Sequence, residues 1–173
     1  MSQENTQLGW LKNAPADQKP FVRMVVGWQT VAETINTTVA RFNAKFFQPG
    51  TGPHEEMKLI AAKQAVMASL KELLVGLGNW RDVLARTGNL SDESKLLWKQ
   101  LEPTLRQINQ FKAIRNCAFH FGDYLEPPER LAEMYESVRD QDIDALNGML
   151  RALYDFGFQL RQDALSVVER LKA

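Results

Sequence analysis

The chain has 173 residues, enough for one domain with a core of useful size. Apolar residues make up 45% and charged residues 24%, an ordinary composition for a globular protein and unlike that of a disordered chain. Lys plus Arg and Asp plus Glu are 21 each, so there is no basic excess to hold nucleic acid non-specifically; a local cationic patch, or a pocket for one phosphate, stays open.

Residues 1–16 are polar and aperiodic, with Trp10 between Leu8 and Leu11, and are expected to be a flexible N-terminal segment. The single domain is expected to span 17–173. From Asp17, the residues Phe21, Val25, Trp28, Ala32, Ile35, Val39, Phe42 and Phe46 recur at fours and threes, which predicts a long amphipathic helix. The run from Gln48 to Pro53 ends it, and Pro53 suits the first position of the next helix. That helix is predicted to reach the mid-eighties, with Val66, Leu70, Leu73, Leu77, Trp80 and Leu84 in its seam. Gly76 and Gly78 either weaken its middle or admit a close neighbour.

Thr87-Gly88-Asn89 breaks the pattern, and Ser91 or Asp92 can cap a third helix. Its apolar residues form two stripes rotated from one another. Leu97, Leu101, Leu105 and Ile108 make the first; Phe111, Ile114, Ala118 and Phe121 make the second, with Pro103 as a kink in the earlier half. A helix apolar on two sides is either central or covered by a partner. A short helix is predicted from Pro128 to Arg139. The last one runs from Ile143 through Leu150, Gly157 and Ala164 to Leu171 with heptad spacing. Nothing alternates with period two. The expected fold is all-α, an antiparallel bundle of four long helices plus one short helix.

Chemistry-bearing groups concentrate in the segment Arg115-Asn116-Cys117-Ala118-Phe119-His120. On an ideal helix Asn116 and His120 share a face, whereas Arg115 lies about 140° around from His120. A loosened last turn or a second copy of the chain has to bring guanidinium and imidazole together. Phe119 projects between them and, with Leu105 and Ile108, is expected at a homodimer interface. Read without that function, His120 caps a helix C-terminus, where a cation is welcome, and Arg115 and Asn116 are solvated. Cys117, the single cysteine, excludes an internal disulfide and fits a reducing compartment. A lone helical cysteine is ordinarily a small buried hydrophobe, not a nucleophile. Neither Glu-x-x-His nor His-x-x-x-His occurs, so no metal and no other cofactor is expected. Gly50-Thr51-Gly52 lacks the ending of a phosphate loop. No signal-peptide pattern and no membrane-spanning run stand out, so a cytoplasmic protein is expected.

Arg-Asn-x-x-x-His over Arg115 to His120 is similar to the signature of HEPN domains, which are small all-α domains, often dimeric. Many are metal-independent endoribonucleases of toxin–antitoxin, abortive-infection and CRISPR-associated systems. The resemblance implies RNA as substrate, His120 as general acid or base, Arg115 on the scissile phosphate and Asn116 orienting. It also implies a neighbouring antitoxin protein as partner. Tyr124 stands where an auxiliary tyrosine follows the histidine in many relatives, though four positions on. Such cleavage needs a group that exchanges a proton near neutral pH, which an imidazole of pKa about 6.5 does, and a fixed cation on the phosphorane. The alternative is a non-catalytic HEPN-like dimer that binds a protein or a nucleotide.

Overall fold

The computed structural model describes residues 7–41, 52–119 and 128–171. Among these every regular element is helical: α1 (Gln7–Asn13), α2 (Lys19–Arg41), α3 (Pro53–Arg86), α4 (Asp92–Gln100), α5 (Glu102–Asn109), α6 (Lys112–Phe119), α7 (Pro128–Arg139) and α8 (Ile143–Arg170). The all-α expectation holds. The long second and last helices lie where their seams predicted them, and the expected third helix is divided into α4, α5 and α6.

Each boundary has a local cause. Gly52 and Pro53 open α3, with Glu55 and Glu56 in the first turn. Its C-terminus closes on Gly88, whose φ of 68° is left-handed. There Gly88 N–H donates to the Ala85 carbonyl at 3.1 Å and Asn89 N–H to the Leu84 carbonyl at 2.8 Å, the paired bonds of a Schellman stop. Ser91 caps α4 by accepting from Ser94 N–H at 3.1 Å, and Asp142 caps α8 by accepting from Ala145 N–H at 3.1 Å. Pro103 sits in the first turn of α5, where a missing N–H is harmless. A tighter turn, Phe111 N–H to the Ile108 carbonyl at 3.0 Å, separates α5 from α6.

The core lies along α8, which packs against α2 and α3, while α2 and α3 barely meet. Leu146, Leu150, Leu153, Phe156 and Leu160 of α8 are almost wholly buried, as are Met67, Leu70 and Leu84 of α3 and Val22 and Ile35 of α2. Each such side chain stabilises the fold by roughly 1.5–3 kcal/mol relative to exposure. Gln18 donates to the Leu171 carbonyl at 3.3 Å, and Trp28 lies over Gly157, so α2 and α8 run in opposite directions. Leu77 also meets Gly157, and Arg170 donates to Asn89 Oδ1 at 2.6 Å, so α3 and α8 run the same way.

A helix, α1, occupies most of the described part of the segment expected to be flexible. Trp10 and Leu11 pack against the core and Ala14 is buried. Apolar contact with α2 docks it, a gain the polar composition of the flanking residues conceals.

Two buried contacts fix these packings. Asp163 of α8, 7% exposed, accepts from Ser94 Oγ at 2.7 Å and from Ser91 N–H at 3.0 Å, which ties the start of α4 to α8. A Cβ on Gly157 would stand 2.3 Å from the Trp28 ring. Gly157→Ala is therefore expected to destabilise the chain by about 1–3 kcal/mol through overpacking, measured as a lower midpoint in urea. Asp163→Ala removes the partner of a buried hydroxyl and a helix-end N–H. It should cost about 1–3 kcal/mol in the same titration.

Candidate functional site

Phe111 and Ile114, 3% and 4% exposed, anchor α6 against α3. With those side chains inward, Arg115 and Asn116 are carried to the rim, where both are half-buried. Arg115 Nε donates to Glu72 Oε2 of α3 at 2.7 Å, and its Nη1 donates to Asn116 Oδ1 at 3.2 Å. The guanidinium is thus oriented by an amide on its own helix and a carboxylate on the next. Arg115 keeps 27% of its side chain exposed and Glu72 keeps 52%, so the pair is accessible to solvent and worth at most about 1 kcal/mol.

Two lysines add positive charge near this pair. Lys71 of α3 donates to Asn109 Oδ1 at the end of α5. Burial, then the neighbouring charges of Lys112 and Arg115, hold its ammonium below the ordinary lysine range. Lys71, Lys112 and Arg115 therefore share one cationic face opposed by the carboxylate of Glu72. In a protein of zero formal net charge, such a face is the local patch that the composition left open.

Of the residues singled out in the sequence, Arg115 and Asn116 are brought together. His120 and Tyr124 lie outside the described residues, as does the side chain of Phe119. Leu105 and Ile108 require a correction: at 6% and 0% exposure they belong to the chain's own core and are not available to a second copy. The break at Gln110–Phe111 is the reason. It re-aims α6 relative to α5, so that two stripes rotated apart on a continuous helix both face inward. Cys117 is partly buried beside Asn116. Trp28 is core at 4% exposure, and Trp98 is held between the Phe156 ring at 5.2 Å and the Arg81 guanidinium at 4.7 Å.

Lys71, Glu72 and Lys112 went unnoticed in the sequence. Glu72 is 43 positions from Arg115, and no periodicity couples a carboxylate to a cation on another helix. The available signal was weak: a Lys-Glu pair on the polar side of an otherwise apolar stretch of α3.

Comparison with family models, with curated proteins and with solved structures gave no match. Among the described residues no three His, Cys, Asp or Glu side chains gather as metal ligands, and no helix is long and apolar enough to cross a membrane.

The electrostatic coupling is testable directly. Arg115→Gln removes a cation near Lys71 and releases the Glu72 carboxylate. The Lys71 ammonium should then titrate higher than in the parent chain while staying below a free lysine, because burial persists. Side-chain NMR of the lysine ε-carbon reads this shift, and an unchanged titration would break the proposed cluster apart.

Proposed function

We propose that this chain is a metal-independent endoribonuclease of HEPN type, working as a homodimer in a reducing, cytoplasmic compartment. The supporting observation is the guanidinium of Arg115, held by Asn116 and flanked by Lys71 and Lys112, in the segment that leads to His120. A cation fixed in this way presents parallel N–H donors to phosphate oxygens, and the two lysines raise the local concentration of a polyanion. In this reading Arg115 stabilises the phosphorane, Asn116 orients it, and His120 exchanges the proton with the 2′-hydroxyl or the departing 5′-oxygen. Tyr124 is auxiliary. The helices are read as the corresponding antiparallel bundle, with α4, α5 and α6 together standing for one long helix.

The dimer of this reading brings two α6 segments together across a two-fold axis, so that each cleft receives two cations and two imidazoles. Leu105 and Ile108 contribute nothing to that contact, since they are buried within one chain. The exposed edge of α6 remains for it, and the reading assigns Phe119 to the same contact. A neighbouring antitoxin protein would act by covering the same cationic face.

A second reading, a non-catalytic module that binds a protein or a nucleotide, is favoured by the Glu72 carboxylate on Arg115 at 2.7 Å. The carboxylate occupies part of the fork that a phosphate needs. Cleavage of a single-stranded RNA pool separates the two readings. His120→Ala is expected to lower the rate by about 10²–10⁴-fold with circular dichroism unchanged. Arg115→Ala should weaken RNA retention at low salt, and raising the salt should erase the difference. Undiminished cleavage by His120→Ala disposes of the nuclease, and retention without any cleavage leaves the binding module.

A further inference from the structure

Because α2 and α3 barely meet, an open groove of about 400 Å³ lies between them, with Leu150 of α8 at its base. Its walls are mostly apolar, formed by Val31, Ile35, Leu73, Leu77 and Trp80. Three hydroxyls also face it, and each is already committed. Thr34 donates to the Thr30 carbonyl at 2.8 Å, Thr38 to the Thr34 carbonyl at 2.8 Å, and Ser69 to the Ala65 carbonyl at 2.9 Å. With those protons spent and the walls mostly apolar, most of a polar body's acceptors would lose their hydration without replacement. An aliphatic chain has nothing to satisfy.

Among the described lining residues one ionises, and it is Glu72, the carboxylate that carries Arg115. The apolar groove therefore opens beside the cationic face of Lys71, Lys112 and Arg115. A complementary ligand has a flexible apolar body and a single anionic head. Glu72 is a replaceable occupant of that head position: it is half exposed, and a solvent-exposed ion pair is weak, so its release into water is easy. Gly76 lines the groove, and a Cβ added there meets none of the described residues within 4 Å. Among the described residues nothing packs against this position, although a glycine inside a helix lowers its stability.

We propose that the groove between α2 and α3 is a binding site for a single-chain fatty acid, its tail along Leu73, Leu77 and Trp80 and its carboxylate replacing that of Glu72 on Arg115. The site shares Arg115 with the proposed nuclease centre but does not rest on RNA as substrate. Occupation of Arg115 by the fatty acid excludes a phosphate from it.

The test is calorimetric titration of the full chain with dodecanoate below its micelle concentration, with dodecanol as the uncharged control; no RNA enters it, so the two readings fail separately. One dodecanoate per chain is expected, with dodecanol at least about tenfold weaker. Arg115→Gln should bring dodecanoate down to the level of the alcohol, and Glu72→Gln, which removes the competing carboxylate, should tighten it. Gly76→Phe fills the groove and should abolish binding of both. Should that variant fold poorly, a spin-labelled stearate added to the wild-type chain decides: the methyl resonances of Val31, Leu73 and Leu150 are expected to broaden first. Absence of saturable binding, equal affinity for acid and alcohol, or broadening elsewhere would overturn the site.

Discussion

The close approach of α2 to α8, with the Trp28 indole laid on Gly157, is the constraint from which the rest of the packing follows. An indole needs a flat, bare stretch of partner backbone, and position 157 supplies it only without a side chain. Tyr154 meets the same ring at 5.1 Å, and Leu77 of α3 also reaches Gly157. Three long helices are therefore positioned around one missing methyl group. With Trp28 directed at α8, α2 packs mainly on that helix and meets α3 little, and the opening lies between α2 and α3.

The second organising feature is the division of the middle of the chain into α4, α5 and α6. A continuous helix would have left one of its two apolar stripes facing water. Breaks after Gln100 and Asn109 rotate successive segments, so that Leu105, Ile108, Phe111 and Ile114 all reach the same core. Of the polar residues left on the outside, Asn109 accepts from Lys71 of α3, Arg115 donates to Glu72 of α3 and to Asn116, and the charge of Lys112 acts on Lys71. The cationic face is thus the outer side of the device that closes the core, and its position is fixed by burial and not by its own weak ion pair.

The seams of α2, α3 and α8 were legible because a stripe of period 3.6 buried against a partner leaves its mark in every turn. Gly157 was legible as a small residue in a seam, though not as the seat of Trp28. The cap of α4 was legible from residue type and position as Ser91 or Asp92, and it is Ser91. The inward turn of Leu105 and Ile108 was not, since it depends on two short breaks, only one of which is marked by a proline. A rotated stripe on a straight helix and a re-aimed stripe on a broken one give the same letters. The docking of α1 through Trp10 and Leu11 was hidden for a related reason: seven residues are too few to display a period. Arg115 and Asn116 were legible as a motif, whereas Glu72 and Lys71 entered only through tertiary contact.

The shared direction of α3 and α8 has an electrostatic corollary. Their C-terminal ends meet where Arg170 reaches Asn89, so the negative poles of two helix dipoles gather at one end of the molecule. Arg86 and Arg170 lie in those last turns, and the positive pole of α4 begins at Ser91 in the same corner, held there by the carboxylate of Asp163. The Thr87–Ser91 link is therefore a junction where three helix ends of mixed polarity neutralise one another, which makes this corner an electrostatic clasp as well as a connection.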